Sequence, residues 1–208
     1  MLECTSNNRI RKFYDSLAFI YPVVDLFFMK RRRYVIYEIN SLPRGKVLEI
    51  GVGVGSHLDH YEQHSITGID LSDKMLERAK IRRKSKDIHL IRMDGEQLDF
   101  LNDSFHYIFI CRALAITGNP NRMIDEAIRV LKPSGLIYIL NHDTPNSWIK
   151  YIDMAFNPIS RIFNFSSHFN VNKVQSLSRL KLVKEQSFGV CSYTKLFVFQ
   201  KCPNIRSA

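Results

Sequence analysis

Residues 47–55 read Val-Leu-Glu-Ile-Gly-Val-Gly-Val-Gly, and this run constrains the fold more than any other stretch of the chain. Apolar, β-forming positions end on three alternating glycines, which is the pattern of a strand entering a tight turn. Glycine is needed there because a side chain would hold the backbone away from a bound nucleotide-like group and could not follow the turn. A helical pattern over 56–63 is expected to continue from it. Several kinds of ligand are held by such turns, so the flanking sequence has to discriminate among them.

The flanks supply a series of alternating elements. Ser65-Ile66-Thr67-Gly68-Ile69-Asp70 is a second strand ending in an acid, and Ile88-His89-Leu90-Ile91-Arg92-Met93-Asp94 is a third that does the same. Residues 105–110 and 136–140 read as strands four and five. Helices are expected over 72–80, capped by Ser72 or Asp73, and over 121–131. Two further strands, 180–185 and 194–199, close the chain around a loop containing Gly189. Strands alternating with helices give a parallel sheet covered on both faces.

Glu49 two places before Gly51, the GxGxG spacing, Asp70, Asp94 and the turn Lys132-Pro133-Ser134-Gly135 occur in the order seen in class I S-adenosylmethionine-dependent methyltransferases, and residues 10–142 resemble that family closely. The resemblance implies an α/β, Rossmann-like seven-stranded sheet, mostly parallel with an antiparallel last strand, and S-adenosyl-L-methionine as cofactor. It implies that Gly51, Gly53 and Gly55 admit the methionine and ribose portions, and that Glu49 orders the loop and the ammonium end. Asp70 then takes the ribose hydroxyls, as the matching acid does in dinucleotide folds. Leu71 packs on adenine, Asp94 bonds its amino group, Gly95 leaves room for its edge, and Cys111 and Arg112 line the floor. The alternative for Asp94 is a simple helix cap. A nicotinamide dehydrogenase is disfavoured, since Ser56 stands where the dinucleotide fingerprint wants a third glycine.

Tyr14, Ala18 and Tyr21 match a Tyr-x3-Ala-x2-Tyr pattern found in quinone and phospholipid methyltransferases, where the early tyrosine covers the cofactor. Asn141-His142 resembles the pair after strand five in bacterial soluble-type phosphatidylethanolamine N-methyltransferases. The resemblance therefore points to Tyr21, Asn141, His142 and Asp143 as catalytic candidates, with Asp143 departing from the aromatic residue that subfamily places there. The expected reaction is N-methylation of the phosphatidylethanolamine headgroup toward phosphatidylcholine. The alternatives are a soluble methyltransferase acting on a quinone precursor or secondary metabolite, and a cofactor-binding regulatory or nucleic-acid-associated protein. No Asn-Pro-Pro-aromatic signature follows strand four, which weighs against a nucleic-acid base as acceptor.

Charge adds a possible surface to the argument. The net charge is +10, and both ends are basic: residues 1–46 hold nine Lys or Arg against four acids, residues 145–208 nine against two. Residues 9–39 carry an apolar stretch between Arg9, Arg11, Lys12 and the run Lys30-Arg31-Arg32-Arg33. The apolar part is too short to span a bilayer core of roughly 30 Å. It suits an interfacial helix on an anionic membrane surface, each basic residue contributing about 1 kcal/mol. The alternative is a helix pair packed on the sheet.

The 208 residues are expected to form one domain. Within it, 1–46 is a helical, membrane-facing cap, 47–142 the cofactor core, 143–179 a greasy, basic substrate roof and 180–202 the terminal strand pair. Four cysteines without paired spacing, and no secretion-like N-terminus, suggest a reducing cytoplasm; the basic ends place the protein peripherally on the inner membrane face, and a monomer is expected. His57, His60 and His64 have helical spacing but lack partners for a metal, and read as a solvated helix face.

Overall fold

The apolar runs form a seven-stranded sheet in the order β3-β2-β1-β4-β5-β7-β6. The strands are β1 (Lys46–Ile50), β2 (Ser65–Asp70), β3 (Ile88–Arg92), β4 (Phe105–Cys111), β5 (Leu131–His142), β6 (Lys181–Phe188) and β7 (Thr194–Gln200). β1 runs parallel to β2 and β4, and β7 is antiparallel to both β5 and β6. Among the described residues three helices cover it: α1 (Tyr21–Asn40), α2 (Asp73–Arg82) and α3 (Pro120–Val130). The computed structural model describes residues 21–82, 87–142, 171–188 and 194–203, without the side chains at 21–28, 82, 142 and 172. Tyr14, Asp143 and most of the expected roof therefore lie outside the described residues.

Strand alternation sorts the core into two layers. Leu48, Ile50, Ile108, Ile110, Ile137 and Ile139 pack against Met123, Ile124, Ala127 and Ile128 of α3. On the other face Val47, Phe109, Tyr138 and Leu140 meet Val35, Ile36 and Ile39 of α1 and Leu76 and Ala79 of α2. The strand order reverses between β1 and β4, so their carboxyl ends diverge and leave the crevice where ligands bind in open α/β sheets.

Local chemistry sets the helix boundaries. Ser72 Oγ accepts Met75 N at 3.2 Å and starts α2. Asn119 caps α3 by accepting Arg122 N at 3.1 Å, with Pro120 placed where no N–H is required. The helix expected over 56–63 is reduced to one 3-10 turn, Leu58–His60. Its backbone is bonded elsewhere: Asn40 Nδ2 donates to His60 O at 2.8 Å and Asn40 Oδ1 accepts Glu62 N at 3.3 Å. So short a segment gains too few helical bonds to repay nucleation.

The fifth strand begins at Leu131 rather than 136, directly after α3. The extension includes Ser134 at φ 63°, a left-handed conformation where the family's turn has glycine. Left-handed geometry costs a non-glycine residue about 1–2 kcal/mol, and Ser134 is exposed. Ser134→Gly is therefore expected to stabilise the fold, offset in part by unfolded-state entropy, by up to about 1 kcal/mol. A denaturant midpoint that falls in this variant would contradict that account.

Candidate active site

The glycine turn is built as the sequence demands. Gly51, Gly53 and Gly55 have φ of 80°, 58° and 64°. Gly51 N and Val52 N both donate to Ile69 O, at 2.9 and 3.0 Å, which pins the turn to the end of β2. A Cβ at Gly51 would stand 3.0 Å from Ala113 Cβ, and one at Gly55 2.8 Å from both Ala79 Cβ and Leu58 Cδ1. The loop is thus pressed against the segment after β4 on one side and α2 on the other.

Asp70 ends β2 half-buried, its carboxylate set by two backbone amides. Gly53 N donates to Oδ2 and Ser72 N to Oδ1, each at 2.9 Å. Leu71 lies half-buried between them. Met93 N donates to Asp70 O at 3.2 Å, so β3 delivers Asp94 beside Asp70 along the same sheet edge. Asp94 Oδ1 accepts Glu96 N at 2.9 Å, capping a turn rather than a helix. Gly95 is needed for packing: a Cβ there would meet Ile50 Cγ2 at 2.8 Å and Met123 Cε at 2.9 Å.

Glu49 corrects one expectation. It is fully buried, and both oxygens are engaged inside the protein: His57 Nε2 donates to Oε1 at 2.5 Å and Tyr61 Oη to Oε2 at 3.1 Å. Burial, with the Glu49 carboxylate beside it, pushes the Tyr61 phenol well above its usual pKa, so it remains an O–H donor. This arrangement suits the loop-ordering half of the Glu49 reading, with both carboxylate oxygens committed to His57 and Tyr61 rather than presented to an ammonium group. The solvated histidine face is also overturned. His57 and His64 are buried, and His64 donates from Nε2 to Ile39 O at 2.9 Å and accepts Gly45 N at 3.2 Å.

Arg32 was grouped by sequence with a surface cluster, yet it is 2% exposed. Lys30 and Arg33 point outward from the same helix, and Arg32 turns inward. It donates from Nε to Cys111 Sγ at 3.1 Å and from Nη1 to His57 Nδ1 at 3.4 Å. Cys111 is accordingly buried beneath the site, and Arg112 follows at φ 61° with its N–H on Leu140 O at 2.9 Å. Glu96 is another buried group that pattern did not reveal. It accepts Thr117 Oγ1 at 2.5 Å and Asn119 N at 2.9 Å, tying the turn after Asp94 to the start of α3.

At the end of β5, Asn141 is 1% exposed, and neither its Oδ1 nor its Nδ2 has a hydrogen-bond partner among the described residues. Buried amides are almost always bonded, so an orphaned pair marks a place where something else belongs. His142 pairs with Thr194 through the strand ladder. The side chains of Tyr21 and His142 lie outside the described residues.

A sheet of this order, with a glycine turn at its switch point and acids ending β2 and β3, defines the class I, Rossmann-like methyltransferases. Residues 48–139 match the family described as a methyltransferase domain, and the chain is an S-adenosylmethionine-dependent methyltransferase. It is 28% identical over 160 residues to phosphatidylethanolamine N-methyltransferase of Cereibacter sphaeroides, covering 74% of this chain and 78% of that one. To demethylmenaquinone methyltransferase of Thermotoga maritima it is 29% identical over 209 residues, covering 91% and 89%. Among solved structures, a SAM-dependent methyltransferase of Thermotoga maritima superposes with TM-score 0.71 at 19% identity, covering 91% of this chain and 99% of that one. The [4+2]-cyclase SpnF does so with 0.65 at 16% identity, covering 83% and 80%. The latter shows that this fold is not confined to one chemistry.

S-adenosyl-L-methionine fits the residues present. The left-handed glycine turn stands at the switch-point crevice, and the Asp70 carboxylate, held there by the Gly53 and Ser72 amides, suits a ribose diol. The sulfonium supplies an already activated methyl group. What the protein adds is position, exclusion of water and a correctly oriented acceptor.

Proposed function

We propose that the enzyme N-methylates a primary amine headgroup, phosphatidylethanolamine in the first instance, at an anionic membrane surface. The observation that carries this reading is the orphaned Asn141 amide. Its oxygen can accept an N–H of the attacking amine while the amine lone pair points at the methyl donor, and its NH₂ can donate to a headgroup oxygen. An amide does not take up a proton at ordinary pH. It therefore orients the acceptor, while the proton that the headgroup ammonium must lose before attack goes to a separate base, for which His142 and Asp143 are the candidates. The similarity to a phosphatidylethanolamine N-methyltransferase agrees. Outward-facing Lys30 and Arg33 offer charge for anionic lipid. No helix among the described residues is long and apolar enough to cross a membrane, so contact would be with the surface.

The second reading is C-methylation of a quinone precursor, favoured by the more extensive match to a demethylmenaquinone methyltransferase. Ring methylation requires removal of a phenolic proton, so this reading, like the first, needs a base other than Asn141.

The test is transfer of labelled methyl in vesicles of phosphatidylethanolamine and phosphatidylglycerol, run beside demethylmenaquinone in the same vesicles. Label in mono-, di- or trimethylated headgroups supports the amine reading, and label in the quinone alone overturns it. Asn141→Leu is expected to keep cofactor affinity and lose at least about tenfold in transfer, the scale of one lost charge-assisted hydrogen bond. Undiminished transfer in that variant would remove Asn141 from the site.

A further inference from the structure

Buried beneath the glycine turn is a chain of polar groups that reaches from α1 to the ends of β1 and β4. Arg32 bonds Cys111 Sγ with Nε and His57 Nδ1 with Nη1, and His57 in turn bonds Glu49, whose other oxygen is held by Tyr61. With the guanidinium donating to Nδ1, the ring proton sits on Nε2 and faces the carboxylate. All five residues are buried, Glu49 and His57 completely. A buried ionic cluster is weak support for stability, since desolvation offsets much of the attraction and a well-packed apolar replacement is often as stable. Its location is therefore the informative property. Glu49 lies two residues before Gly51, and Cys111 immediately before the left-handed Arg112. Those are the strand ends from which the glycine turn and the turn opposite it spring, and Gly51 meets Ala113 across the gap.

We infer that Arg32 is a positioning residue for the cofactor site: from α1 it ties the 111–113 turn, through Cys111, to the 51–55 turn, through His57 and the Glu49 that His57 holds. The remaining length of α1 fixes where Arg32 stands. Val35, Ile36 and Ile39 seat the helix on the sheet. Glu38 pairs with Lys184, and Tyr34 Oη donates to Gln186 Oε1 at 2.8 Å, both on β6. A guanidinium is suited to the task because its donors diverge in a rigid fork, one arm to each turn, where a lysine offers a single donor centre. The inference rests on the cofactor and holds whichever acceptor is methylated.

Arg32→Met keeps most of the side-chain volume and removes the bonds to Cys111 and His57. Calorimetry of this variant is expected to show S-adenosylmethionine and S-adenosylhomocysteine both bound roughly tenfold more weakly or worse, the scale expected when a preorganised site loosens. Amides of 51–55 and 111–113 should exchange hydrogen faster, while those of α3 and the β5–β7 ladder are unchanged. Arg32→Lys should fall between Met and the natural residue. A lower melting temperature with unchanged affinity and unchanged exchange in both turns would reduce Arg32 to a structural role. If Arg32→Met does not fold, the comparison moves to Glu49→Gln with and without Arg32→Met, where no carboxylate is stranded. A further loss of affinity in the double variant supports the inference, and equal affinity in the two overturns it.

Discussion

Asp70→Ala is expected to reduce affinity for S-adenosyl-L-methionine by at least about 100-fold while the protein stays folded. Two losses combine. If Asp70 holds the ribose diol, the variant gives up charge-assisted hydrogen bonds each worth roughly 1.5–3 kcal/mol. It also leaves Gly53 N without the Oδ2 acceptor and Ser72 N without Oδ1, the contacts that hold the glycine turn against the end of β2. Neither loss touches the core, because Asp70 is half-buried at the sheet edge and the backbone bonds of Gly51 and Val52 to Ile69 O remain. Asp70→Asn would not rescue binding well, since one of its two terminal groups would be an NH₂ aimed at a backbone N–H. Calorimetric titration with the cofactor, beside thermal melting without it, separates the two effects. Affinity close to that of the natural protein would remove Asp70 from the ribose site.

The residues that carried most of the family resemblance are the ones whose meaning is local. Gly51, Gly53 and Gly55 need positive φ because of a turn made by their own neighbours, and Asp70 and Asp94 mark the ends of strands whose apolar runs are plain in the sequence. The seven strands and their covering helices follow from the same short-range patterns. Strand ends were less legible where tertiary contacts decide them. β5 continues back to Leu131 because Leu131 pairs with Phe105 of β4. The 56–63 segment loses its helix to the side chain of Asn40.

Groups that act across long separations left little trace in the local pattern. Arg32 sat in a run of four cations, and nothing in that run distinguishes the one whose helical position turns it toward Cys111, 79 residues away. Only the spacing of Arg32, Val35, Ile36 and Ile39, an i, i+3, i+4, i+7 stripe, could have placed it on the buried face. His57 was read by its spacing to His60 and His64, whereas its partner is Glu49 on an adjacent strand. Glu96 resembled any loop acid. Each of these is a polar group whose partner is set by topology, and topology is what a local pattern does not contain.

Lys201→Met should destabilise the fold by about 3 kcal/mol, because a buried ammonium here holds three acceptors at once. Lys201 is fully buried, and its Nζ donates to Ile128 O at 2.9 Å, Leu131 O at 2.6 Å and Asp103 Oδ1 at 2.8 Å. All three donors of the ammonium are used. Two of the acceptors are carbonyls at the end of α3, where the helix leaves orphan acceptors and a cation is favoured by the dipole. Methionine fills similar volume but offers no donor, so each carbonyl would pay its desolvation penalty of about 1–3 kcal/mol. Asp103 is 43% exposed and can return to water, which keeps the total below that of a fully buried ion pair broken on one side. The Lys201 backbone adds a clamp of its own, with its N–H on Gly135 O at 3.0 Å and its carbonyl accepting Ser134 N at 3.1 Å. Those bonds survive the substitution, so the loss is confined to the side chain. A denaturant titration should show the midpoint moved down with its slope unchanged, and cofactor affinity preserved below the transition. A shift smaller than about 1 kcal/mol would mean that water replaces the ammonium at the helix end.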